Sequence, residues 1–593
     1  MRLILLLISF FAYFGVRSQI GFSEYSSDTL LSDFRTFGSM SSNNEGLGVL
    51  DQSFISIENP HFFLSSEISR PLGSTIDQIH FNKRHIKQEI SALPHIGFGY
   101  IFGSQGAQRV SFRYGQVLPN NWVVNTQINT NKLEGFFRNT AYSQSHYGFS
   151  LSKQSDTYGL LISGETNKIE REWSGGVLND SLLDFFAPQF IPVLKESCNS
   201  TIKGFNAAIG SYLVLINNDK FRLNYINESS VFGLNRLFNE TDTLIGIYEN
   251  TNFDTLVSRD QFQQSTLDHF SGLRMNSSNS QYSIGVKASY WNYRNMGLFR
   301  DTLELDVEHK FKLNWKQFKF NHSASYNVLG AFRNWKMRQV ISFKQDNIGL
   351  NRFISYQFNN SLVKNIPQVY QRFYVSNNTA YNNSNMNLES SYTQELSARF
   401  HQTLDTNHLL NISLSYGLGI QRGIYYFDSQ SLNWENNSSL SDNNIHQLKF
   451  AIAYQKNHLN IRQSYQYTQL NNQTLIIPRH YLYGSIDYKM GVFKDKKMEL
   501  TFGLTYSLSS KTNIIPVIEN MGVYDFLNID INNIQNSIFN LGAYTSIEIE
   551  TFRFFLKVNN LGYLWNDLQW NYVEGLYLPE VAVRVGITWD FWN

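Results

Sequence analysis

Along most of this chain, apolar and polar residues alternate one by one. Leu410, Ile412, Leu414, Tyr416, Leu418 and Ile420 are separated by Asn411, Ser413, Ser415, Gly417 and Gly419. Met498, Leu500, Phe502, Leu504, Tyr506 and Leu508 alternate with polar or small residues in the same way, as do Leu448, Phe450, Ile452 and Tyr454. Near the C-terminus Val581, Val583, Val585, Ile587, Trp589 and Phe591 share one face, and Ala582, Arg584, Gly586, Thr588 and Asp590 the other. Successive side chains of a strand point to opposite sides, so each segment predicts a strand with one apolar and one polar face. Several segments reach the roughly 9–11 residues that a tilted strand needs to cross a bilayer. Soluble strands average about 5–6.

The connections alternate as well. Tight polar turns are expected at Pro119-Asn120-Asn121, Gln154-Ser155-Asp156, Asn217-Asn218-Asp219, Lys456-Asn457-His458 and Lys494-Asp495-Lys496. Longer polar segments fall between them, near 169–202, 230–262, 421–445, 509–536 and 560–577. Short turn then long loop, repeated, describes an up-and-down antiparallel barrel with two unlike rims. Counting tightly turned hairpins from residue 91 gives about 22 strands, within a range of roughly 16–24. The count is weakest at 359–384, where Tyr370 to Asn382 would break the rhythm as a strand and is read as loop. The predicted fold is therefore all-β, a single transmembrane β-barrel over residues 91–593. Such a barrel closes on itself, because lipid cannot satisfy an open edge, so the last strand should pair with the first.

The first eighteen residues follow a different pattern. Arg2 precedes an apolar run from Leu3 to Gly15, and Val16-Arg17-Ser18 ends it. This is the layout of a secretory signal peptide cut between Ser18 and Gln19, and the run is shorter than the roughly 20 residues of a membrane helix. The chain is thus expected to be exported to a bacterial outer membrane. Residues 19–90 then precede the first strand as a short plug folded into the lumen or as a periplasmic segment.

Composition fits a lipid-facing barrel. Aromatic residues make up 15% of the chain, yet mean hydropathy is −0.31. Strands that are apolar outside and polar inside keep the mean low, while aromatic girdles mark the interfaces. Loss of Arg2 and Arg17 would leave 47 basic residues against the 48 acidic ones. That balance argues against nucleic acid as a partner. The single cysteine, Cys198, excludes a disulfide framework and cysteine-ligated metal sites. No nucleophile elbow, P-loop or zinc-protease motif occurs, so neither an enzyme nor a cofactor is expected. His309 and His322 lie on adjacent predicted strands and read as rim or lumen histidines rather than metal ligands.

Charged residues on polar faces are the candidates for lining a pore. Arg109 and Arg113 share one such face, and Glu304, Asp306 and Glu308 another. Lys449, Arg462, Asp487, Lys489 and Glu499 follow, then Arg553, Lys557 and Arg584. Rings of charge set ion preference in pores. Opposite charges paired across strands would instead hold the wall together. With both signs in similar number, weak ion selectivity is expected.

The order of landmarks resembles the putative porin family of Bacteroidota outer membranes. The resemblance rests on Asp28-Thr29-Leu30-Leu31, Gly135-Phe136-Phe137-Arg138, the Trp173-to-Ser181 segment, Pro367 and Tyr370-Gln371-Arg372-Phe373-Tyr374. It implies a channel and carries no catalytic residues. The end of the chain, Trp589, Phe591 and Trp592, resembles the C-terminal signal read by the outer-membrane assembly machinery, although Asn593 is the final residue. The expected partners are outer-membrane lipid, that machinery and small hydrophilic solutes, with a barrel this wide expected to stand as a monomer. Passive diffusion of small hydrophilic solutes is the leading expectation. A substrate-specific or energy-coupled transporter comes second, since roughly 70 residues is short for the plug of a TonB-dependent receptor. A structural or adhesive barrel acting through its long loops comes third.

Overall fold

The computed structural model describes residues 93–593, apart from 242–251, 331–333, 348–351, 366, 368, 384–385, 387, 406–407, 437–441, 472–477, 494–496, 526, 531, 567–570, 574–575, 578–580 and 593. The signal peptide, the 19–90 plug or periplasmic segment and the turn at 494–496 lie outside the described residues.

Twenty-two antiparallel strands form one closed sheet, in which the first strand (His95–Gly103) pairs with both the second (Ala107–Leu118) and the last (Ala582–Trp592). At the closing seam Phe98 stands opposite Trp589 and Tyr100 opposite Ile587. Burial is inverted relative to a soluble protein. On the strand Met498–Ser509, Phe502, Leu504 and Leu508 are exposed, while Thr501, Ser507 and Ser509 are buried. Apolar side chains therefore face outward and polar ones inward, as hydrocarbon outside and a polar lumen inside require.

The two rims differ sharply. At one end, the turn end, consecutive strands are joined by two to five residues. Asn120 and Asn121 both have φ of 60° in the turn before Trp122, the left-handed conformation that asparagine tolerates best among residues with a side chain. At the loop end the connections grow to 173–197, 241–257, 366–388, 423–442, 510–537 and 560–581. Loops 173–197, 241–257 and 423–442 are shorter than the polar runs suggested, because strands continue into them, while 510–537 equals its run in length and 560–581 exceeds it. Cys198–Asn217, Phe221–Glu240 and Ser258–Ser277 each run 20 residues. At about 3.3 Å per residue that is some 66 Å. Even when tilted, it exceeds hydrocarbon of about 30 Å. This side of the wall therefore rises well past the membrane at the loop end.

The segment 370–382 stays outside the barrel sheet. It forms one helical turn (Val369–Arg372) and a small ladder of its own, Phe373–Val375 with Ala380–Asn382. The strand Arg352–Asn365 takes the first residues of the ambiguous 359–384 stretch.

Candidate functional site: the lumen and its mouth

The alternation puts the charged candidates on the inner face, in three groups. Beside the seam, Arg109, Arg113, Arg553, Lys557 and Arg584 are all buried. Arg584 Nη1 donates to the Ser104 carbonyl at 2.9 Å, and Arg553 forms an ion pair with Glu548 on the facing strand. On the strand Leu298–Trp315, Glu304, Asp306 and Glu308 alternate with outward Leu303, Leu305 and Val307. Asp306 accepts a bond from Asn327 (2.8 Å), and Glu308 lies 3.6 Å from Lys310. The third group surrounds Asp487, which accepts from Asn460 (3.3 Å) and Tyr544. Lys489 and Glu499 form a 2.5 Å ion pair there, while Lys449 and Arg462 share the inner face of neighbouring strands. Cross-strand pairing thus claims several candidates directly.

Charges of opposite sign are not evenly mixed around the lumen. From Trp335–Asn347 round to Leu459–Leu470, the inward residues include Lys336, Arg338, Lys344, Arg399, Lys449 and Arg462. Among the described side chains, Glu389 and Glu395 are the acids on this wall. Arg399, His401, Arg462, Phe353 and Tyr483 line a lumenal cavity of about 590 Å³. Across the lumen, from Phe221–Glu240 to Leu298–Trp315, acids and bases intermingle. Glu228, Asp268 and Glu308 line a smaller cavity of about 250 Å³ together with Arg274, Lys287 and Lys310. Arg399 was open to the same alternation rule, since it sits between Ala398 and Phe400, whereas His401 and Asp268 each have one polar neighbour, Gln402 and His269.

At the loop end the lumen is capped. The described parts of loops 366–388, 423–442 and 510–537 meet one another and the raised wall in a buried aromatic cluster. Phe262 and Tyr293 come from the wall, Tyr370, Phe373 and Tyr374 from the first loop, Tyr425, Phe427 and Trp434 from the second, and Met521 and Val523 from the third. The Phe262 ring stacks on Tyr370 at 5.8 Å between centroids, and Trp434 meets Tyr370 edge-on at 6.1 Å. Burial of this kind stabilises through removed apolar area, with aromatic pairs adding about 0.5–1.5 kcal/mol each. Polar contacts fix the register. Asn377 donates its backbone N–H to Asp260 at 2.9 Å and its amide to Ser258 at 3.1 Å. Buried Arg236 donates to the carbonyls of Asn520 (2.6 Å) and Glu519 (3.1 Å), and the Glu519 carboxylate lies 2.9 Å from Lys195. The Tyr381 hydroxyl donates to the Tyr370 carbonyl (2.6 Å) and accepts from the Trp434 indole (2.9 Å), and its burial holds its pKa well above the usual phenol range. Sequence reasoning missed this cap. The available signal was the aromatic density of Tyr370 to Tyr381, Tyr425-Tyr426-Phe427 and Trp434 within segments otherwise read as polar loop.

One reading is corrected. His309 and His322 face neither rim nor lumen. His309 shares the outward face of Leu303 and Val307, and His322 that of Tyr326. The alternation already placed His309 opposite Glu308. Assigning it by its polarity overlooked that position.

Solved structures share this architecture at low identity. The copper transporter OprC superposes with a TM-score of 0.62 at 9% identity, covering 86% of this chain and 82% of that one. The FrpB iron transporter from Neisseria meningitidis gives 0.59 at 10% (84% and 82%), and the siderophore receptor PirA from Acinetobacter baumannii 0.58 at 10% (85% and 82%). At such identity the likeness is one of fold, an outer-membrane barrel. No curated protein matches the chain. A family model described as Putative porin matches residues 19–593, and the chain belongs to that family of outer-membrane barrels.

Proposed function

We propose that the protein is an outer-membrane channel for small hydrophilic solutes whose extracellular mouth is shut at rest by its own loops. The observation that carries this reading is the pairing of a charged inner wall with a cap of three loops docked onto the raised strands. Water and ions favour a lumen lined by arginine, lysine and carboxylates, and rings of charge bias which ions enter. The basic wall around Arg399 and Arg462 favours anions, which sharpens the weak selectivity expected from residue totals alone. A mature chain starting at Gln19 agrees with the extent of the family match. Intact mass of the purified protein checks it.

Single-channel recording in a planar bilayer tests the reading. The intact protein should give rare, brief openings, and a variant lacking 423–442 should give frequent, long ones. A reversal potential measured under a KCl gradient should mark the open state as anion-preferring, and Arg399→Glu with Arg462→Glu should move it toward cations. Silence from the deletion variant in a verified folded state would remove the channel reading.

A second reading draws on the closed mouth: an energy-coupled transporter that opens only for its own substrate. The similar solved barrels include proteins named as transporters and receptors. Uptake of a small anionic solute by cells carrying the deletion variant separates the two. A channel keeps its rate when the inner-membrane gradient is collapsed, and a coupled transporter loses it.

A further inference from the structure

Five adjacent strands of the barrel carry a polar row on their outer face. His322 stands opposite Gln339, Gln339 opposite Asn360, and Asn360 opposite Gln394 in consecutive strand pairs. His309 adjoins the row, its Nε2 2.8 Å from that of His322. Each position is flanked on its own face by apolar residues above and below: Val307 and Phe311, Phe320 and Ala324, Met337 and Ile341, Phe358 and Leu362, Tyr392 and Leu396. Exposed Val307, Tyr326, Phe343, Tyr356 and Leu396 mark that face as outward. The row therefore lies inside the apolar band rather than at its edge.

Elsewhere the band is built differently. On His408–Arg422 the outward side chains from Leu410 to Ile420 are all apolar, as they are from Val583 to Phe591 on the last strand. A smaller outward patch on Phe221–Glu240 and Ser258–Ser277 is bonded mostly within itself, with Ser229 bonded to His269 (2.9 Å) and Tyr225 to Ser271 (2.9 Å), although Asn227 Oδ1 has no partner among the described residues. The long row spans more strands and is less well bonded. Asn360 reaches Gln339 at a weak 3.4 Å, while Asn360 Oδ1 and His322 Nδ1, both covered by neighbouring side chains, have no hydrogen-bond partner among the described residues. Polar groups held in an apolar band with so few partners are costly.

We infer that this face is the contact between two copies of the chain in the membrane, joined about a two-fold axis through the row. Amides and neutral imidazoles both donate and accept, so a row of them complements its own copy, which an isologous contact requires. Lipid tails offer no such partners, and the amides of the row give an ionic partner no charge to recognise. The size also fits. Five strands at about 4.8 Å span roughly 24 Å. Over an apolar band about 25 Å tall this gives some 600 Å² per copy, near the roughly 800 Å² of a standard interface. The row lies outside the lumen, so this contact stands or falls independently of solute passage. It replaces the monomer expected from barrel width.

Cysteine cross-linking in intact outer membranes tests it, with Cys198→Ser as background. Gln339→Cys and Asn360→Cys should each give a covalent dimer on mild oxidation, while Leu504→Cys on the apolar far wall should not. In detergent the native protein should show twice the chain mass by light scattering. Gln339→Leu with Asn360→Leu should shift it toward monomer, by about threefold to tenfold in dissociation constant for each hydrogen-bonded pair lost, with unchanged conductance and heat-modifiability. A native monomer, equal cross-linking at Leu504→Cys, an undiminished dimer in the leucine variant, or capture of a different protein at Gln339→Cys would each overturn the contact.

Discussion

The wall and the mouth of this barrel use the same aromatic and aliphatic residues in opposite ways. In the wall, Phe502, Leu504 and Trp589 are exposed while Thr501, Ser507, Lys557 and Arg584 are buried. In the mouth, Tyr374, Phe427 and Trp434 are buried against one another, as in the core of a soluble domain. The wall gains little from contact between apolar side chains, because lipid is as apolar as they are; backbone pairing without an open edge holds it together. The mouth excludes water, so apolar burial stabilises it directly. The two regions should therefore fail separately, and a change that opens the mouth should leave the barrel folded.

The largest expected effect is Trp434→Ala, which removes the side chain that packs on Tyr370 and Phe427 and donates to Tyr381. Large-to-small changes at such sites cost about 3–5 kcal/mol. That loss should fall on the cap alone: faster hydrogen exchange in 423–435 and more frequent channel opening, with heat-modifiability unchanged. If the whole barrel unfolded instead, wall and mouth would be one cooperative unit. The converse substitution is Leu504→Arg, on the lipid side of the wall, which should cost about 2–4 kcal/mol near the midplane. Refolding into vesicles along a urea series should show that loss, with the open probability of the inserted protein unaltered. A smaller effect is expected for Asn377→Ala. It deletes amide bonds to Ser258 and to the Asp254 carbonyl (2.6 Å), and loss of one partner in a buried pair costs about 1–3 kcal/mol.

The same contrast explains what was legible in the sequence. Strand count and closure were readable because a period of two is local, and because every connection at the turn end is short enough to fix which strands are neighbours. The pairing of first and last strands follows from closure, while its register, Phe98 opposite Trp589, is seen only in the structure. The inner positions of Arg109 and Asp487 follow from the same local rule. The cap was not readable. Arg236 meets Asn520 across 284 residues of sequence, and nothing in either segment announces the other. Loop aromatics carry no period, so Tyr425 and Trp434 showed composition without direction. Segregation of charge failed for a related reason: totals of 49 basic and 48 acidic residues hold no information on where around the circumference each lies. His309 was different, because its face was fixed by Val307 and Phe311, and only the habit of placing histidine in water concealed it.

The smallest effect distinguishes two carboxylates that hold one amide in the cap. Asn528 Nδ2 lies 2.8 Å from Asp428 Oδ1 and 3.0 Å from each carboxylate oxygen of Asp525, linking loops 423–442 and 510–537. Burial pushes the Asp525 carboxyl above its ordinary value of 3.8. Burial acts the same way on Asp428, but bonds from Asn528, Ser431 and the Gln430 backbone outweigh it and hold that carboxyl below 3.8. The signs then differ. Asp428 contributes docking stability that is present above the ordinary carboxylate value and lost as pH falls through its lowered one. Asp525 carries a desolvation cost at neutral pH that is relieved as pH falls toward its raised value. Asp428→Asn should therefore loosen the cap at pH 7, by about 0.5–1.5 kcal/mol for a hydrogen bond weakened from charged to neutral. Asp525→Asn keeps an acceptor oxygen without the buried charge, and should leave the cap as tight or tighter. Open probability at pH 7 reads both, rising in the first variant and level or falling in the second. Equal loosening in the two would mean that Asn528 needs the charge of both carboxylates, and that burial costs Asp525 nothing the cap can feel.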